Sequence, residues 1–76
     1  MIRIYSKPDC AKCHMLKTWC DKNAIKYEVA DISTDLDAHA EIASRGLMAL
    51  PVVQIDSEFY NGDVVKLMEL LKNRSN

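Results

Sequence analysis

The apolar pattern of this chain switches repeatedly between the two-residue repeat of a strand and the 3.6-residue repeat of a helix, and this alternation limits the fold more than any other feature. Ile2 and Ile4 alternate with Arg3 and Tyr5 as a short strand. Ser6-Lys7-Pro8-Asp9 breaks the pattern. From about Cys10 to Lys22 the spacing is helical, with Cys13, Leu16 and Cys20 on one face and Met15 and Trp19 beside it. Asp21-Lys22-Asn23 ends that helix, and Ile25, Tyr27 and Val29 alternate as a second strand. Ser33 or Thr34 suits the cap of a second helix, whose first turn carries Asp35 and Asp37. Leu36, Ala40, Ala43 and Leu47 form its expected apolar stripe, and Gly46 stands where a left-handed helix terminus needs glycine. Pro51-Val52-Val53-Gln54-Ile55 reads as a third strand, and Asp56-Ser57 turns the chain into Glu58-Phe59-Tyr60. Asn61-Gly62 turns it again. Asp63 caps a last helix with Val64, Leu67, Met68 and Leu71 on its apolar face, and Lys72 and Arg74 suit its C-terminal dipole end. Residues 73–76 are expected to fray.

The predicted order, β-α-β-α-β-β-α, defines an α/β fold. The first βαβ unit requires a right-handed parallel crossover and the hairpin requires antiparallel pairing, so the four-stranded sheet is mixed, with helices on both faces. At 76 residues the chain is read as a single domain, residues 1–76. A domain this small buries only about 60% of its unfolded surface, so it needs an efficient core or a staple. The apolar fraction of 49% supplies a core, and an odd cysteine count of 3 argues against a disulfide framework. The net charge of −1, with signs interspersed, lacks the basic stripe that nucleic acid needs. No apolar run approaches membrane-spanning length. Met1-Ile2-Arg3-Ile4 leads straight into strand sequence, so no signal peptide is expected and the expected compartment is the reducing cytoplasm.

In such a compartment a close cysteine pair is more often catalytic or metal-binding than structural. Cys10-Ala11-Lys12-Cys13 opens a helix just after a strand. There the first sulfur faces unpaired N–H groups and the positive dipole end, which stabilise the attacking thiolate. One turn later the second thiol is within bonding reach. Cys10 is therefore the expected nucleophile and Cys13 the resolving thiol; Lys7 and Lys12 favour the thiolate and Asp9 opposes it. Two other readings compete. A zinc half-site would need two further ligands from Cys20, His14 or His39, which lack ligand spacing. With His14 the run also matches the attachment motif of c-type haem, but attachment normally occurs outside the cytoplasm. Cys20 reads as a buried hydrophobe, Trp19 as a packing residue and the methionines at 15, 48 and 68 as gap fillers. Pro51 either opens its strand in trans or follows a cis bond; the residues leave both open.

Taken together, Ile4-Tyr5-Ser6-Lys7 leading into Cys10-x-x-Cys13, Ala49-Leu50-Pro51 before a strand, and Phe59-Tyr60-Asn61-Gly62-Asp63 before the last helix resemble the glutaredoxin branch of the thioredoxin superfamily. The resemblance runs from Ile2 to about Leu71 and implies a thioredoxin-like sheet of order 2-1-3-4. It also implies a cis Pro51 against the cysteine pair and a Leu50 backbone that pairs with extended substrate or glutathione. It adds Tyr5, Lys7, Lys12, Gly62 and Asp63 as substrate-binding or supporting residues. Ala11-Lys12 replaces the usual Pro-Tyr, and Val64-Val65 replaces the acidic pair that holds the γ-glutamyl end of glutathione. Those departures are shared in part with NrdH-type redoxins, the nearest relatives implied.

The expected function is a monomeric dithiol–disulfide oxidoreductase that holds no cofactor. Its expected partners are protein disulfides such as those of ribonucleotide reductase, with no nucleic acid or membrane. Glutathione or NADPH-linked thioredoxin reductase is the implied electron source. The alternative is a binding module that holds an iron–sulfur cluster or metal through Cys10. A truncated arsenate reductase ranks last, since the chain lacks room for the extra helical region.

Overall fold

The computed structural model describes residues 1–75 and places a central strand, β1 (Ile2–Ser6), between two neighbours. It pairs in parallel with β2 (Glu28–Asp31), Tyr5 opposite Ala30, and antiparallel with β3 (Val52–Ile55), Tyr5 opposite Val52. β4 (Glu58–Asn61) adds antiparallel to β3, so the order is β2-β1-β3-β4. This is the thioredoxin-like sheet of order 2-1-3-4 with three helices.

Side chains alternate across β1, so its two faces seed two cores. Ile4 and Val53 face α1 (Ala11–Lys22) and α3 (Val64–Ser75), packing with Leu16, Cys20, Ile25, Leu67 and Leu71. Tyr5 and Val52 face the opposite way, toward Ala30 and the Ala38 and Ile42 of α2 (Leu36–Ala43). Cys13, Leu16 and Cys20 are wholly buried, so the face read from the α1 sequence is the one that docks.

Four details differ from the sequence reading. β2 begins at Glu28, and Ala30 rather than Val29 points inward, leaving Val29 48% exposed on an edge strand. The α2 cap is Asp35, which accepts the Ala38 N–H at 3.0 Å. Ser33 instead bonds Asp31 through both N–H and hydroxyl, which holds that carboxyl below its usual range. α2 buries Ala38 and Ile42, while Leu36 lies 77% exposed and Ala40 and Ala43 face solvent. Leu47 does pack inward. The chain reverses there through Gly46 at φ 72°, with Gly46 N–H donating to Ala43 C=O and Leu47 N–H to Ile42 C=O. Finally, α3 continues to Ser75, into the stretch 73–76 expected to fray; Asn76 lies outside the described residues.

Candidate active site

The site grows from the junction of β1 and α1. Lys7-Pro8-Asp9 turns the chain, with Cys10 N–H donating to Lys7 C=O at 3.3 Å, and Cys10 becomes the N-cap of α1 in an extended conformation. Its Sγ accepts the Cys13 N–H at 3.2 Å, where Ser, Thr or Asp oxygen would ordinarily sit. Capping by sulfur aims a backbone donor and the positive end of the helix at this atom. When the pair is reduced, both favour thiolate.

Cys10 and Cys13 are joined as a disulfide, their Cα atoms 5.3 Å apart. The two sulfurs differ in access: Cys10 is partly exposed and Cys13 is wholly buried. An incoming disulfide therefore meets Cys10 first. Lys7 and Lys12 flank it as exposed side chains. The His14 ring Nε2 lies 3.1 Å from the Pro8 carbonyl and ties α1 back to the turn, and both sulfurs that would anchor a haem are bonded to each other. Among the described residues, no three His, Cys, Asp or Glu side chains gather as a metal site.

Beside the pair lies an open groove between α1 and α3, floored by the segment before β3. Lys12 and Met15 line its α1 side, Ala49 and Leu50 the floor, and Gly62, Asp63, Val64 and Val65 the α3 side. Four expected site residues, Lys12, Leu50, Gly62 and Asp63, thus meet in one place. The Leu50–Pro51 bond is cis, as the resemblance implies, and Pro51 is buried. Gly62 adopts φ 133°, a conformation closed to most side chains, and so turns β4 sharply into α3. Asp63 caps α3, its Oδ1 accepting the Val65 N–H at 3.0 Å.

Tyr5 does not join them. It is wholly buried on the α2 side of the sheet, its ring centroid 6.0 Å from that of Phe59 and its hydroxyl donating to Gln54 Oε1 at 2.8 Å. The alternation of β1 forces this, because Tyr5 and Ile4 point to opposite faces. Met15 departs the other way: it is no gap filler but lies 58% exposed on the groove. Its position off the Cys13–Leu16–Cys20 stripe was the available signal. Trp19 is half-buried against the α1–α3 core, as a packing residue should be.

The third cysteine is different in kind. Cys20 is a free thiol, wholly buried, and burial with the nearby Asp21 charge pushes its pKa up to about 11. At neutral pH it is therefore held as the protonated thiol.

A four-stranded sheet carrying an accessible sulfur at a helix N-terminus, bonded to a buried one a turn later, defines a thiol–disulfide oxidoreductase of the thioredoxin-like fold. The Glutaredoxin family model matches residues 2–60, and the chain belongs to that family. It is 27% identical over 62 residues to the glutaredoxin-like protein NrdH of Lactococcus lactis, covering 82% of this chain and 86% of that one. Among solved structures, the thioredoxin-like protein BC3987 superimposes with a TM-score of 0.78 at 28% identity, covering 93% of this chain and 99% of that one. The NrdH-redoxin from Escherichia coli superimposes with a TM-score of 0.82 at 24% identity, covering 92% of each chain.

Proposed function

We propose that this redoxin reduces protein disulfides with Cys10 as nucleophile and Cys13 as resolving thiol, and that thioredoxin reductase recycles it in preference to glutathione. The accessible Cys10 Sγ capping α1 over a buried Cys13 carries the reading. The Cys10 thiolate attacks one sulfur of the substrate disulfide, forming a mixed disulfide and releasing the other sulfur as thiolate. Cys13, once deprotonated, attacks Cys10 Sγ and expels the second substrate thiolate. Two electrons leave the protein as its own disulfide forms, and two return from NADPH through the flavoprotein. The likeness to NrdH proteins supports ribonucleotide reductase as one acceptor and the reducing cytoplasm as the compartment.

Val64 and Val65 support the choice of reductant. Where an acidic pair would attract the α-amino group of glutathione, this groove offers Val65, 58% exposed, next to Met15. Loss of those charge-assisted contacts costs a small polar ligand roughly 1.5–3 kcal/mol, about one to two orders of magnitude in affinity. An apolar rim suits a protein surface better. A coupled NADPH assay compares kcat/KM for thioredoxin reductase with the rate supported by glutathione and its reductase. The flavoprotein is expected to win by at least tenfold. Glutathione winning by tenfold would make the protein a glutaredoxin with an unusual glutathione site. An absorption spectrum of freshly purified protein gives the cluster-binding alternative its own test: visible bands from an iron–sulfur group would displace the reductase reading.

A further inference from the structure

The α3 end of the groove holds a carboxylate that the oxidoreductase chemistry does not use. A helix start ordinarily presents free N–H groups, and these would receive the carboxylate of an arriving small thiol. Here the Val65 N–H is already taken by Asp63 Oδ1 at 3.0 Å, and the Asp63 backbone carbonyl accepts the Leu67 N–H at 3.0 Å, so the residue is held from both of its ends. The Asp63 side chain is exposed on the groove. Lys12, on the α1 side, is the other charged residue lining it, and the rest of the lining is apolar or glycine. The groove is therefore polarised, cationic toward α1 and anionic toward α3.

We infer that Asp63 is a specificity-determining residue that closes the α3 side of the groove to negatively charged thiols. A carboxylate arriving there finds the Val65 N–H already engaged and meets the like charge of Asp63. A neutral or cationic segment meets no such barrier, and an acidic group is tolerated only toward Lys12. The inference deepens the proposed preference for a protein reductant and rests on that reading for its biological meaning. It places part of the discrimination against glutathione in a residue that is present, beyond the acidic pair that is missing. One like-charge contact at a solvent-exposed site corresponds to about a threefold to tenfold change in rate, falling as salt is added.

The test uses the oxidised full-length protein and two thiols, glutathione and glutathione diethyl ester, which lacks both carboxylate charges. The reading is the ratio of their second-order rate constants, ester over glutathione, for opening the Cys10–Cys13 disulfide, followed by acid quench and mass spectrometry. Asp63→Asn keeps a capping oxygen and removes the charge, so the ratio is expected to fall about threefold to tenfold at low salt. The wild-type ratio should also shrink as salt rises, and that of the variant should not. Asp63→Ser, a second capping residue without charge, gives the same answer should the Asn variant fold poorly. An unchanged ratio in a folded variant overturns the assignment. Failure of the parent reading looks different: wild-type protein would be recycled better by glutathione than by thioredoxin reductase, whatever Asp63 does to the ratio.

Discussion

Helix α1 and its N-cap carry three cysteines, and the two ends treat the same side chain in opposite ways. At the N-terminus Cys10 is reachable, caps the helix and is covalently paired with Cys13. Two turns beyond Cys13, Cys20 is sealed in the core with its pKa pushed up to about 11. The sequence places Cys13 and Cys20 on one helical face seven residues apart, so facing alone does not decide reactivity. Position along the helix does: the first turn has spare N–H donors and an opening to solvent, whereas near the C-terminal end the N–H groups are used within the helix and Cys20 is sealed in the core.

The largest effect should come from the reactive end. Cys10→Ser removes the only thiol at the helix terminus, and turnover of a protein disulfide in a coupled NADPH assay should fall on the order of a thousandfold or more. Retained activity would mean that Cys13 or Cys20 can serve as nucleophile, and the contrast between the two ends would fail.

Next comes the anchor that holds both ends in place. Leu16 is wholly buried between Cys13 and Cys20 and packs into the core shared with α3, so Leu16→Ala should cost about 2–4 kcal/mol in urea unfolding. Met15→Ala, one residue earlier and exposed, should change stability by no more than about 0.5 kcal/mol. Equal costs would mean that α1 docks on a different face.

The buried end also has a pH signature. The Cys20 thiol has a raised pKa in the folded protein, so the unfolded chain loses this proton first as pH rises. Its stabilising contribution is complete below about pH 9 and is lost progressively as pH climbs toward 11. In the disulfide form Cys10 and Cys13 do not titrate, and Tyr27 and Tyr60, whose pKa values are also raised, remain in both proteins, so the Cys20 share of the alkaline loss, on the order of 2 kcal/mol, is the difference between the wild-type and Cys20→Ala profiles. An identical alkaline decline in the two proteins would assign it to another group.

Smallest is the direct effect of that same substitution at neutral pH. Cys20→Ala should cost about 1 kcal/mol of stability and leave turnover within about twofold. A large loss of turnover in a folded variant would give the buried thiol a role in the chemistry.

What could be read from the sequence follows the range of the forces involved. The cysteine pair, the α1 face, the Asp56-Ser57 hairpin and the Asp63 cap are local, set by residues within a turn or two of one another. The α2 face was not legible. Leu36, Ala40, Ala43 and Leu47 have helical spacing as good as that of Ala38 and Ile42, and only the sheet decides between them: small Ala38 lets the helix approach Tyr5 and Val52. The register of β2 was hidden for a related reason. Edge strands need bury only part of their apolar residues: Ile25 and Tyr27 pack on the α1–α3 core as their alternation suggests, whereas Val29, which continues it, is exposed and Ala30 packs on the α2 side. At the site, Cys10 and Cys13 were evident from spacing, whereas the groove joins Lys12, Leu50 and Asp63 from three distant segments, which only the family resemblance could suggest. Tyr5, which the resemblance adds as a supporting residue, lies on the α2 face of β1, away from the groove, because the alternation of the strand sends it opposite to Ile4.

The division of labour between the sulfurs can be tested most directly by trapping the mixed disulfide. Reduced Cys13→Ser and Cys10→Ser variants are each incubated with insulin, quenched with acid, and the linked peptides are mapped by mass spectrometry. An accessible, cap-stabilised Cys10 over a buried Cys13 predicts a stable adduct through Cys10 in Cys13→Ser, and none in Cys10→Ser. An adduct through Cys13 in the Cys10→Ser protein, at a comparable rate, would contradict the assignment.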